Sequence, residues 1–575
     1  MKTQITSRPE ASPHFVRIRQ TSDDCVLLLS SLYYRPKRLV VNYSFGTTTF
    51  FIDPLALLAP RLEELDLSLP FAFYIKERIH IDISSFDSLS ALTKMTTFGF
   101  AYQYPTPFVV ADVIRRLPPS IHTLRVERYS GNSGGDGSMV ERELASVAKD
   151  RYRAISIGLP SLTSLQLGDG EHPPDFCDLV SCGGLDARLT TLLLDGRDYS
   201  TLDITGLATY HNLTCLSICE CTSITGLDQL PVASLSALKI RDYKKNSVLT
   251  LAPVLARLTN LTTLSVYQVN SLTVKETLPS LASNKKKHQL DLHGLTTALA
   301  TTLRTLVVSH SFLKDVSALS RLTALVHLDV SHNADIVEFE FLIPLVRLEK
   351  LEMQFTSDLY TLDHLAGLTR LTSLTFGPRR REHRVFLSLH PLRALVNLES
   401  LSCENAGIGD LKPLENCRKL HHLQMGRNPS LRLSTLPHFP LLHTLDICAC
   451  QSQILAPLST LTSLTSLNIC KNQVVDITPL CSLHRLEELY MWSNKITDVA
   501  PLASLSALHT LFVQCNPLAT LEPLALFSRL NYLTIGPTHS LSLLPLLSVP
   551  RLRRLRTEAP SDVDSISSRA SFHIF

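Results

Sequence analysis

The chain has 575 residues, too many for one ordinary globular core, and 45% of them are hydrophobic. Lys and Arg total 55 against 52 Asp and Glu, a balance that argues against a protein built to wrap nucleic acid or to lie on an anionic membrane. Thirteen cysteines spread over this length lack the density of a disulfide scaffold, so reduced thiols are expected.

In chain order, residues 1–30 show no positively charged start followed by an apolar run, and Val26 to Leu29 is too short for a leader or a membrane span. A soluble chain is expected, cytoplasmic, with the nucleus as the other location, and these residues are read as an N-terminal cap. The sequons at Asn42, Asn212 and Asn260 then carry no meaning. From residue 31 a leucine-centred pattern begins with loose spacing, at Leu39, Leu65, Phe98, Leu124 and Leu165, then Leu192, Leu216, Leu238 and Leu264. It is interrupted at Ser130 to Ser138, a glycine-rich loop followed by a predicted helix over 139–150. A phosphate cradle would need a strand before those glycines and a lysine with a hydroxyl partner after them, and neither side chain is in place.

Lys285, Lys286 and Lys287 mark a second interruption, and Leu290 to Leu292 form a degenerate unit. The pattern resumes at Leu306, Leu328, Leu351 and Leu374. Arg379, Arg380, Arg381 and Arg384 follow, where the interval stretches to 27 residues. Both basic runs are read as surface loops, and a nuclear address is the competing reading.

Over 395–557 the spacing becomes strict. The central leucine recurs at Leu401, Leu423, Leu445, Leu467, Leu489, Leu511, Leu533 and Leu555, every 22 residues. One unit reads Leu486, Leu489, Met491, Asn494, Ile496, Val499 and Leu502, with Pro501 before the last leucine; the next reads Leu508, Leu511, Val513, Asn516, Leu518, Leu521 and Leu524, with Pro523. Residues 558–575 fall outside the frame and are expected to be a flexible tail, in which Arg569 to Ser571 is a chance match to a phosphorylation pattern.

Leu489 and Met491 alternate with Tyr490, the period-two mark of a strand with one buried face. The asparagine at the ninth position of L-x-x-L-x-L-x-x-N stands where the chain must bend, and its amide can satisfy backbone groups the bend leaves unpaired. Neighbouring units are expected to form an asparagine ladder, with Cys221 and Cys450 as small buried replacements. The proline is expected to stop strand or helix from continuing on the far side. One such unit cannot bury enough surface to offset its ordering entropy, so the units must stack.

This pattern is identified as that of leucine-rich repeats. The motifs Ile496-Thr-Asp498-Val499-Ala-Pro501-Leu502 and Ile408-Gly-Asp410-Leu411-Lys-Pro413-Leu414 resemble the short class of the bacterial internalins and of the leucine-rich-repeat regulatory subunit of protein phosphatase 1. The resemblance implies an α/β-type solenoid: a curved horseshoe with a concave parallel β-sheet, an irregular, 3-10 or short helical convex side, and a concave face that binds other proteins. A phosphatase regulatory role or an internalin-like adhesin are the narrower readings it allows.

Strand alternation sends the third, fifth, seventh and eighth residues of each unit to the open face. Tyr490, Trp492, Phe512 and Tyr532 are therefore expected to form one exposed aromatic patch, with Glu488 and Asp446 supplying charge beside it, and these six are the candidate partner-binding residues. Their competing role is mutual covering across strands. Cys448 and Cys470 share a column and are read as exposed thiols, because too few further ligands converge to hold a metal. In Cys219-Glu220-Cys221, alternation separates the two thiols. No catalytic motif is present, and nearly the whole chain is taken up by repeats. The expectation is a non-catalytic, monomeric scaffold for a protein partner, without cofactor or metal.

Overall fold

The computed structural model describes residues 15–20, 37–43, 61–68, 83–103, 107–129, 153–168, 184–195, 202–219, 224–241, 252–267, 297–311, 313, 315–356, 359–378, 387–536, 542–557 and 573–574. The predicted helix over 139–150, the basic runs, the degenerate unit at Leu290 and Cys221 lie outside them. By its contacts the chain divides into Met1–Leu303 and Arg304–Phe575.

In the N-terminal unit each repeat contributes one strand to a parallel ladder. The strands are Phe15–Gln20, Arg38–Tyr43, Glu64–Ser68, Thr97–Gln103, Thr123–Tyr129, Ser164–Gly168, Thr191–Asp195, Cys215–Cys219, Ala237–Arg241 and Thr263–Tyr267. Leu39, Leu65, Phe98, Leu124, Leu165, Leu192, Leu216, Leu238 and Leu264 pair in register from strand to strand and are fully buried. The first strand adds Val16 to that row, so part of the expected cap is a repeat strand. Between strands the chain returns through 3-10 turns such as Ile83–Ala91 and a helix, Pro107–Arg115.

The C-terminal unit repeats the arrangement on a tighter scale. Its ladder runs from Thr305–Val307 through Glu488–Tyr490 and Arg554–Arg556 to His573–Ile574. Leu306, Leu328, Leu351 and Leu374 are followed in register by the strictly spaced leucines from Leu401 to Leu555. Leu555 then pairs with Ile574, so residues placed in the expected flexible tail supply one further strand.

The turn after each short strand is made at the eighth residue, one earlier than the sequence suggests. His310, His332, Phe355, Asn405, Arg427, Ala449, Lys471, Ser493 and Cys515 all adopt left-handed backbone, with φ between 52° and 61°, a conformation that disfavours side chains other than glycine and asparagine. The ninth residue holds the turn. Asn472 donates to the carbonyls of Ile447 and Ile469 (2.9 Å each), while its oxygen accepts from the N–H groups of Cys450 and Ser452 (3.0 Å each). Asn494 likewise joins Ile469 and Met491 to Val474. The asparagines thus bond the backbone of their own and the preceding repeat, and among the described residues not one another. Cys450 takes this place in its repeat, buried, its thiol 3.2 Å from the Met425 carbonyl.

On the far side the proline starts a 3-10 turn instead of ending an element. Pro501 lies in the first turn of Ala500–Ser504, where an absent N–H costs nothing. The aspartate of the motif explains itself here: Asp498 accepts from the Ala500 N–H at 2.8 Å, as Asp476 does from Thr478 and Asp410 from Lys412.

Candidate functional site

Along each C-terminal strand the middle leucine faces the core and the residues beside it face out, so the open sheet face is a set of columns one residue per repeat deep. The fifth column carries Asp446, Asn468, Tyr490, Phe512, Thr534 and Arg556; the third carries Thr444, Ser466, Glu488, Thr510, Tyr532 and Arg554.

Tyr490, Phe512 and Tyr532 join into one stack. Ring centroids are 4.9 Å apart for Tyr490 and Phe512 and 5.2 Å for Phe512 and Tyr532, with planes tilted by 33° and 35°, within the range of favourable aromatic pairs. Each ring is half-buried by its neighbours, not fully exposed as the sequence reading had it. Trp492 stands apart from the stack. Its indole is covered by the Lys471 ammonium, 4.7 Å from the ring centroid, a cation–π contact.

The two acidic candidates are ordered by their neighbours. Tyr490 Oη donates to Glu488 Oε2 at 3.1 Å, and Ser466 Oγ reaches the same oxygen at 3.4 Å. Burial, followed by the Glu488 charge, pushes the Tyr490 hydroxyl up to about 12. Asp446 accepts from Asn468 Nδ2 (2.7 Å) and from the Cys448 N–H (2.8 Å). Neither carboxylate has an ion-pair partner among the described residues.

The exposed-thiol expectation fails for Cys470, which is 1% exposed. Burial pushes this thiol up to about 12. Cys448 is half-buried, and both thiols are free. Among the described residues no group of three or more His, Cys, Asp or Glu side chains could hold a metal ion, and no helix is long and apolar enough to cross a membrane.

Three side chains of this face escape a reading that looks for aromatics. Glu404 lies in the seventh column, and Arg554 and Arg556 project from the Arg554–Arg556 strand, exposed and without an ion-pair partner among the described residues. Their signal was present in the same columns that picked out Tyr490 and Phe512. The open face of the N-terminal unit is different. There Arg38 and Arg125 bracket Glu64 and Asp66, with Arg125 3.0 Å from Glu64 and 3.3 Å from Asp66, and Arg38 3.2 Å from Glu64.

One strand per repeat and a 3-10 or short helical return, with a buried asparagine closing the turn in several C-terminal repeats, make the leucine-rich-repeat fold, with repeats resembling those of the internalins. Residues 484–526 match the family model described as Leucine Rich repeats (2 copies). No curated protein matches the chain by sequence. Among solved structures it is similar in fold to the TLR13–ssRNA13 complex, with a TM-score of 0.52, 16% identity, and coverage of 97% of this chain and 86% of that one. The internalin InlF of Listeria monocytogenes is 22% identical over 60% of this chain and 83% of its own, with a TM-score of 0.38. The Leptospira interrogans leucine-rich-repeat protein LIC12759 is 14% identical over 96% and 99%, with a TM-score of 0.34. The fold suggests a scaffold for protein–protein interaction.

Proposed function

We propose that the protein is a non-catalytic scaffold that takes a partner protein on the open sheet face of its C-terminal unit, over Tyr490, Phe512 and Tyr532 and between Asp446, Glu488 and Trp492. The observation that carries this reading is the continuous three-ring stack across adjacent strands, on a face no other described element covers. Half-buried aromatics held rigid by one another lose little freedom when a partner closes over them, which is what interface hot spots require. The reading takes the chain as a cytoplasmic monomer.

The test is affinity purification from native cells with the wild type and with a Tyr490→Ala, Phe512→Ala, Tyr532→Ala variant. Proteins recovered by the wild type should be lost from the variant while its melting temperature stays within a few degrees. Identical recoveries from a folded variant would refute the docking face.

A further inference from the structure

Charges on the open face of this molecule are arranged in two ways. On the first strands of the N-terminal unit they neutralise one another, in the Arg38, Glu64, Asp66 and Arg125 network. The first strands of the C-terminal unit behave alike: Lys350 Nζ is 2.5 Å from Glu352 Oε1, and His327 Nε2 is 3.7 Å from the same oxygen. Beyond them the one ion pair among the described residues is that of His509 with Glu487, 3.5 Å, in the second column. Glu404, Asp446 and Glu488 carry no ion pair, and neither do Arg554 and Arg556 among the described residues.

These unpaired charges are also sorted by sign. Glu404 and Asp446 precede the ring stack, Glu488 shares a strand with its first ring, and the two guanidinium groups follow it, with Arg554 beside Tyr532 and Arg556 beside Thr534 in the ladder. Gly426 shapes the acidic end. A Cβ placed there would come 3.5 Å from Asp446 Oδ1 and 3.8 Å from Glu404 Cδ, so the missing side chain leaves a notch with a carboxylate on each side. The nearby cations do not fill it: Lys471 covers Trp492, and Arg427 stands exposed at the turn of its own repeat without an ion pair.

We propose that the partner is read by charge polarity: an extended segment whose basic residue enters the Gly426 notch between Glu404 and Asp446, whose apolar middle crosses Tyr490, Phe512 and Tyr532, and whose acidic end meets Arg554 and Arg556. This rests on the docking reading above and adds the chemistry of the occupant. The distance is set by the ladder. From the Leu423 row to the Leu555 row there are six strand steps, which at about 4.8 Å each span roughly 29 Å. An extended chain advancing about 3.3 Å per residue covers that with about nine residues between its charged ends. Opposite charges left unpaired on a binding face serve orientation and partner choice more than raw affinity.

The test uses three fluorescein-labelled peptides of about eleven residues with the same Leu-Phe-Leu centre: one basic at one end and acidic at the other, one basic at both ends, and one acidic at both. Fluorescence anisotropy with the full chain should show the bipolar peptide binding about tenfold more tightly than either other at about 50 mM salt, with the advantage shrinking at about 0.5 M. Arg554→Glu with Arg556→Glu should transfer the preference to the doubly basic peptide, and Glu404→Lys with Asp446→Lys to the doubly acidic one. Equal binding of all three peptides, a preference the charge reversals leave unmoved, or no binding of any peptide to the wild type would each overturn the polarity. The Tyr490, Phe512, Tyr532 alanine variant separates the two failures: if it loses peptides that showed no charge preference, docking stands and polarity falls; if it binds the bipolar peptide like the wild type, the docking face falls.

Discussion

Main-sheet strands of the N-terminal unit run for five to seven residues, as in Ser164–Gly168 and Thr97–Gln103, whereas most in the C-terminal unit stop at three. The difference follows the ninth column only in part. The repeats centred on Leu306, Leu328 and Leu401 to Leu511 carry an asparagine there or precede one that does, and their strands stop at three residues, whereas Lys350–Thr356 and Ser373–Pro378 sit in repeats with neither and run on to seven and six. Tyr532–Thr534 and Arg554–Arg556 stop at three without one. Bonds between repeats persist through the turn, with Met491 donating to the Phe512 carbonyl and Ser493 to that of Gln514, so the short strands end by a change of backbone direction and not by a loss of pairing. The open faces differ too: Arg38, Glu64, Asp66 and Arg125 pair with one another in the N-terminal unit, whereas Glu404, Asp446, Glu488, Arg554 and Arg556 have no ion pair among the described residues.

The largest test of this contrast removes one asparagine. Asn472→Ala strands buried N–H and C=O groups of two repeats, and should destabilise the C-terminal unit by about 3 kcal/mol. The chain has a single tryptophan, Trp492, so urea unfolding followed by indole fluorescence reports on this unit. An unchanged transition would mean the ninth column does not hold the turn. A smaller effect is expected from Gly99→Ala in the other unit. The added Cβ would fall 1.9 Å from Asp66 Oδ1 and push that carboxylate off Arg125, at a cost of about 1 kcal/mol for a part-exposed network. Hydrogen exchange should quicken about fivefold in Glu64–Ser68 and Thr97–Gln103, and leave Glu488–Tyr490 as it was. Exchange altered equally in both places would break the assignment.

The mildest prediction concerns alkaline pH. Because folding raises the Tyr490 hydroxyl from 10.0 to about 12, the neutral form is the one the fold favours. That contribution is whole below pH 10 and disappears as pH climbs from 10 towards 12. In the Tyr490→Phe variant the indole-detected stability should fall less steeply over this window. An identical slope would show that other groups set it.

How far the chain could be read from its letters differs by column. The buried middle leucine was legible in every repeat from Leu39 to Leu555, because no strand of this kind can leave that position in water. The strand at Phe15–Gln20 was not, since Val16 stands where the other repeats carry leucine or phenylalanine and no leucine frame surrounds it. His573–Ile574 escaped notice because two residues hold no period. Alternation sets Asp446, Glu488, Tyr490, Phe512 and Tyr532 beside the buried middle leucines of their strands. Alternation does not give contacts, however: whether Trp492 joins Tyr490 or turns to Lys471 depends on side-chain rotation, and the burial of Cys470 depends on neighbours that its own repeat does not show. The left-handed turn was hidden for another reason, since His310, Phe355, Arg427 and Lys471 are not residues that announce such a backbone.

That turn has a practical corollary. Each non-glycine residue held in left-handed backbone costs about 1 kcal/mol relative to one at ease there. Exchanging Ala449 or Ser493 for glycine or asparagine would therefore toughen the coil from its rim, a reserve that engineers could draw on while the face that meets other proteins keeps every ring and charge it has.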